Sequence, residues 1–206
     1  MKQKSPSEHR PLSGEGPVIL KRETSAEWVK LAVERFDQVL IDHAHCEKKA
    51  AANALSMIQS YPEIDGLPSQ MARMAREESG HLARVLTLME DRGLQLTKDE
   101  GDPYAQGLQT LVRKTQPERR LDKLLVAAII EARSCERLSL LAENLPDEAL
   151  RAFYAELAQS EDGHQSLFFR LAAQAHGEGE ALARLHILLD AEAELMARLP
   201  IRAAIH

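Results

Sequence analysis

Cysteine is nearly absent from this 206-residue chain, with Cys46 and Cys135 the only two. Two isolated thiols exclude a disulfide framework and a rubredoxin-type Cys-x-x-Cys metal site, and they suit the reducing cytoplasm, where the protein is expected. Long apolar runs are missing as well. The opening MKQKSPSEHRPLSGEG offers no signal-peptide core and no later stretch is apolar enough to span a bilayer, so no membrane association is expected. Aromatic residues amount to only 4%, and strand-like runs of Val, Ile, Thr and Tyr do not occur, while Ala and Leu abound. Helix formers therefore dominate and an all-α fold follows. Excess positive charge is also lacking. A net charge of -6 argues against broad, non-specific nucleic-acid binding, which needs many neutralised phosphates, but leaves room for a local basic patch.

What is present is a 44% apolar content, enough for one sizeable core, arranged at helical period. Residues 1–24, rich in Pro, Gly, Ser and charge, read as a flexible N-terminal arm ahead of one domain over 25–206. Thr24 or Ser25 can start a first helix that continues to about Ser60. YPEIDGLPS makes a turn, Ser69 can cap a second helix, and that helix ends near Gly93. A long crossover to Pro117 holds one short helix in YAQGLQTLVRK. A third long helix spans roughly Glu118 to Asn144 and, after a turn at Pro146 and Asp147, a fourth runs to about Ala175. HGEGE interrupts the pattern and an additional C-terminal helix reaches about Leu199. Two antiparallel hairpins joined by a long crossover form a ferritin-like four-helix bundle.

The informative signal is acidic residues lying on the apolar stripes. In the first helix Val33, Phe36, Leu40, His43, Glu47, Ala50, Ala54 and Ile58 share a face, with Glu47 in its middle. The second presents Met71, Met74, Glu78, His81, Val85 and Leu88, and its Glu-x-x-His spacing stacks both side chains on one face. The third presents Leu124, Ala128, Glu131, Cys135 and Leu138, and the fourth Leu157, Glu161, His164, Phe168 and Leu171, so the Glu-x-x-His pair recurs. An internal repeat ties the copies together. Glu78 and Glu161 are 83 residues apart, Glu47 and Glu131 are 84 apart, and Ala75, Glu78, Gly80 and His81 match Ala158, Glu161, Gly163 and His164. Glu131 is preferred over Glu136, which lies about 140° around the helix from it.

Burying four carboxylates together costs several kcal/mol per charge unless protons or cations neutralise them. Two divalent ions cancel four carboxylates, and the imidazole-plus-carboxylate set suits iron or manganese. Glu47, Glu78, His81, Glu131, Glu161 and His164 are therefore the expected ligands of a two-metal centre. Glu77 is a candidate to orient a ligand histidine, whereas His43, His45, Asp42, Glu136, Asp162 and both cysteines read as structural or solvated.

The strings DHAHCEKKAA, REESGH, EARSCERL and SEDGH, which carry these ligands, resemble the tRNA-(2-methylthio-isopentenyladenosine) hydroxylase family, known as MiaE, over roughly residues 25 to 203. The resemblance implies an O₂-dependent, non-haem di-iron monooxygenase with two iron ions (Fe²⁺/Fe³⁺) and O₂ as co-substrate. Its substrate would be the isopentenyl group of a modified adenosine beside the tRNA anticodon. It also implies an external electron donor, an electron-transfer reductase, because the chain has no flavin or iron–sulfur motif. Arg113, Lys114, Arg119, Arg120 and Lys123, with Lys21 and Arg22, are candidates to contact the anticodon loop. A ferritin-like iron-binding or peroxidase protein without a tRNA substrate is the alternative, and monomer and small homo-oligomer both remain open.

Overall fold

The computed structural model describes residues 18–206 and contains seven α-helices, with no strand among the described residues. These are α1 (Ala26–Glu34), α2 (Phe36–Ser60), α3 (Leu67–Asp91), α4 (Pro103–Thr110), α5 (Glu118–Asn144), α6 (Glu148–His176) and α7 (Glu178–Arg198). Helices α2 and α3 pack as one hairpin and α5 and α6 as the other; α7 packs on α5 and α6. The crossover from α3 to α5 carries α4, so the expected ferritin-like bundle with an additional C-terminal helix is what forms. None of these helices is long and apolar enough to cross a membrane.

Two boundaries differ from the sequence reading. The first helix breaks at Arg35 (φ -120°, ψ 40°), although no Gly or Pro is there. Tertiary contacts account for the break: α1 turns to bury Trp28, whose Nε1–H donates to Ala204 O at 3.0 Å and whose ring lies under the Arg137 guanidinium. The second long helix starts at Leu67 rather than at a Ser69 cap. Pro68, with its fixed φ, suits the first turn, Gly66 supplies a left-handed φ of 72° before it, and Ser69 Oγ donates back to Gly66 O. The other end follows expectation. Gly93 (φ 70°) lets its own N–H reach Glu90 O and the Leu94 N–H reach Met89 O, closing α3 in a Schellman turn.

Of the expected arm, residues 1–17 lie outside the described residues, and residues 18–24 run along the bundle. Val18 is buried, and Thr24 donates both its N–H and its hydroxyl to Glu136. Inside the bundle the apolar core forms two clusters. One contains Met71, Met74, Leu124, Ala128 and Phe168; the other contains Leu40, Val85, Leu138, Tyr154 and Leu157. The six candidate ligands occupy the polar layer between them.

Candidate metal centre

Each ligand candidate comes from the middle of a long helix whose apolar spacing forces that face inward. Glu47 arrives from α2, Glu78 and His81 from α3, Glu131 from α5, and Glu161 and His164 from α6. All six are buried, from 1% exposed at Glu78 to 9% at His81. They meet as two overlapping groups, Glu47 with Glu78, His81 and Glu161, and Glu78 with Glu131, Glu161 and His164. Within each group one oxygen or nitrogen per residue lies within 4.8 Å of all the others. Glu78 and Glu161 belong to both groups, a sharing that spacing alone did not assign. Each half then has its own end residues, Glu47 and His81 from one hairpin, Glu131 and His164 from the other.

Both imidazoles turn Nδ1 into the cluster. His81 Nδ1 lies 3.4 Å from Glu78, 3.6 Å from Glu47 and 3.7 Å from Glu161. His164 Nδ1 lies 2.8 Å from Glu78 Oε1 and 3.1 Å from Glu161 Oε2. The outward nitrogen of His164, Nε2, is 3.1 Å from Glu77 Oε2. A proton on Nε2 donated to Glu77 leaves the Nδ1 lone pair free for a cation, the orienting role anticipated for Glu77. His43, read from sequence as structural, does the same for Glu47. Its Nε2 donates to Glu47 Oε1 at 2.6 Å, and its Nδ1 can accept from the Tyr154 hydroxyl at 3.3 Å. The i, i+4 spacing of His43 and Glu47 on one stripe was the signal for that contact.

Electrostatics show what the cluster lacks. Burial, then the neighbouring Glu161 and Glu78 charges, push the Glu131 carboxyl well above its ordinary value, and burial raises Glu47 against the pull of His43 and His81. Burial works against the imidazolium forms, but the contacts with Glu47 and Glu78 push His81 up to about 10, and those with Glu161 and Glu78 push His164 up to about 12. Glu78 is held low because His164 and His81 outweigh its burial. Protons thus occupy the role of cations. Even so, both Glu78 oxygens and His81 Nδ1 are buried with no aligned hydrogen bond among the described residues, despite the short His164 contact. Orphaned anionic oxygens and an inward ring nitrogen without a partner are costly unless a cation meets them, so this donor set fits a pair of divalent ions.

A cavity of about 180 Å³ opens onto this layer. Glu47, Glu78, Glu131 and Glu161 form its floor; Ala50, Ala105, Ala127, Ile130 and Leu138 supply apolar wall; Ser134, Ile205 and His206 close one side. The His206 ring is held there by Ser134 Oγ at 2.9 Å and Asp102 at 3.3 Å, and stacks on Tyr104. This side of the site was not legible in the sequence, because residues 102–109 and 205–206 reach it only through the fold.

The candidate RNA contacts divide. Arg113 is committed to Asp122 and Arg120 to Glu63 and His176, while Lys114 and Arg119 are exposed and Lys123 lines the cavity. Lys21 pairs with Asp190.

Comparison with known proteins adds three findings. Residues 15–206 match the family described as tRNA-(MS[2]IO[6]A)-hydroxylase (MiaE). The tRNA 2-(methylsulfanyl)-N(6)-isopentenyladenosine(37) hydroxylase of Pseudomonas putida is 41% identical over 169 residues, 82% of each chain, and the protein of that name from Salmonella typhimurium is 30% identical, over 77% of this chain and 75% of its own. A solved structure, Protein 43 with aldehyde deformylating oxygenase activity from Synechococcus, superposes with a TM-score of 0.86 at 39% identity, covering 91% of this chain and 94% of its own.

Proposed function

The chain belongs to the MiaE family of tRNA hydroxylases, and from that premise we propose that it hydroxylates the isopentenyl group of 2-methylthio-isopentenyladenosine in tRNA with two iron ions, O₂ and electrons from a separate reductase. The observation that carries the di-iron part is Glu78. Its two oxygens lie buried between two imidazoles with no aligned hydrogen bond among the described residues, at the floor of a cavity wide enough to admit a small group. A bound ferrous pair would supply O₂ activation for inserting one oxygen atom into a C–H bond.

The remaining work belongs to the side chains. Glu47, Glu78, His81, Glu131, Glu161 and His164 would hold the ions, with Glu78 and Glu161 common to the two groups of donors. Glu77 takes the Nε2 proton of His164 and fixes its tautomer, and His43 holds Glu47 by one oxygen, leaving the other for a cation. Ala127, Ile130 and Leu138 form an apolar wall beside the carboxylates that keeps water off the reacting carbon and suits a branched hydrocarbon tail. The prenyl group would enter tail first, with the purine behind it.

The test is mass spectrometry of nucleosides from prenylated tRNA after incubation with iron-loaded protein, O₂ and a reductant. A gain of one oxygen on the prenylated adenosine is expected. Glu78→Gln should lose at least about 100-fold of that activity, the upper end of what even outer partners of a metal cost, and should bind less iron. Peroxide consumption, or turnover of a long-chain aldehyde, with the tRNA left unoxidised would overturn the reading.

A further inference from the structure

The cavity has a polar mouth that the metal centre does not use. It opens where Asn53 and Gln109 are exposed, along the groove between the C-terminal half of α2 and the N-terminal half of α5, with α4 alongside. At 1.5 Å per residue, the six residues from Glu47 to Asn53 climb about 9 Å and the eight from Glu131 back to Lys123 about 12 Å. Between floor and mouth the walls are Ala50, Ala105, Ala127 and Ile130, small or apolar side chains that leave a smooth slot. That shape suits a flat base carrying a prenyl tail, with the tail at the carboxylates.

Two ammonium groups line the cavity, Lys49 low on the α2 side and Lys123 towards the mouth on α5. Lys49 Nζ is buried and has no hydrogen-bond partner among the described residues. Its nearest carboxylates, Asp99 at 3.8 Å and Asp102 at 4.0 Å, are both engaged elsewhere. Asp99 serves Lys48 and the Gly101 N–H, and Asp102 caps α4 through the Ala105 N–H while meeting His206. The Lys49 side chain is 36% exposed, so its ammonium, held only by these long ion pairs, has donors to spare for an incoming anion. Lys123 Nζ donates to Gln109 Oε1 at 2.6 Å, which occupies the amide oxygen and leaves the Gln109 NH₂ as a free donor. Burial, then the nearby Arg119 charge, holds the Lys123 ammonium below its ordinary value, a deficit that an approaching anion would relieve.

We propose that Lys49 and Lys123 form an anion subsite in the cavity for a phosphate of the prenylated purine nucleotide, with the Asn53 and Gln109 amides donating to the base. The subsite rests on the hydroxylase reading for the identity of its nucleotide. It assigns recognition to residues on α2, α4 and α5 beside the chemistry, with Arg113 and Arg120 left in their intramolecular ion pairs.

Calorimetric titration of the iron-loaded protein with N6-isopentenyladenosine 5′-monophosphate and with the matching nucleoside tests it. The monophosphate should bind roughly 10-fold or more tightly than the nucleoside, as expected for charge-assisted hydrogen bonds. Lys49→Met and Lys123→Met should each erode that preference, Lys49→Arg should retain most of it, and Lys30→Met, a charge loss on α1, should leave it intact. If both methionine variants keep the wild-type preference while prenylated tRNA is still hydroxylated, the subsite is wrong and the hydroxylase reading stands. If wild-type protein binds neither ligand and leaves the tRNA unoxidised, both fall.

Discussion

Helix α5 carries buried charge on two opposite faces, and the chain treats the two differently. Glu131 faces the bundle centre; Arg133, two residues and about 200° further round, faces α7. The Arg133 guanidinium donates to Glu192, Glu136, Thr24 Oγ1 and Arg22 O, and Tyr104 adds a hydrogen bond to the same Glu192 oxygen. Among the described residues, only Glu192 Oε2 lacks a partner in that network. Asp122, also on α5, is similarly met by two arginines of the same chain, Arg113 and Arg184. Around Glu131 no arginine or lysine pairs with the carboxylates among the described residues; borrowed protons stand in. Where charge serves the fold, the sequence supplies the counter-charge; where it serves chemistry, the counter-ion is left to come from outside.

The sharpest way to break this contrast is to remove one charge from each face and unfold the metal-free protein in urea. Arg133→Met strands Glu192 in the interior and should cost about 3–5 kcal/mol. Glu131→Gln removes a carboxyl that burial and the neighbouring Glu161 and Glu78 push well above its ordinary value, and should stabilise the metal-free protein at pH 8 by about 1 kcal/mol. Equal destabilisation by both would make the central layer an ordinary structural network. A smaller effect is expected one step outward. Glu77→Gln removes the anion that fixes the His164 tautomer and should weaken iron binding by about 10- to 100-fold in a chelator competition, with little change in metal-free stability.

The mildest test is pH. His81 and His164, ordinarily near 6.5, hold their protons to about 10 and about 12 in the metal-free fold. Groups raised in this way stabilise fully below their unfolded value and lose that contribution as pH rises through the folded one. The metal-free protein should therefore weaken from about pH 6.5 towards 10. On the proposed ligation iron would compete with protons for the same Nδ1 atoms, so its affinity should rise across that window and the loaded protein should hold or gain stability. Urea midpoints at pH 6 and 9 for both forms check the opposite signs. Arg133, held against burial above its ordinary value by Tyr104, Glu136 and Glu192, keeps its charge throughout and contributes equally to both.

The buried layer of carboxylates and imidazoles was legible in the sequence because it obeys one rule. A charged residue that recurs on an apolar helical stripe has to face its neighbours in the core, and Glu47, Glu78, His81, Glu131, Glu161 and His164 all obey it. The hairpins were legible from Pro and Gly at their turns. What could not be read depends on contacts between elements far apart in the chain. The break at Arg35 follows from Trp28 meeting Ala204 and Arg137, and the cavity wall needs Asp102, Ser134 and His206 at one place. Lys49 carries no signal in the sequence because its surroundings come from the crossover, whose path no local pattern records.

The separation of the apolar interior into two clusters has a mechanical meaning. Each half can cohere on its own hydrocarbon, whereas the seam between them is held by groups that repel or hold borrowed protons. Loading that seam with cations would join four helices at mid-height, so the same event that makes the enzyme competent would rivet its two halves into one cooperative unit.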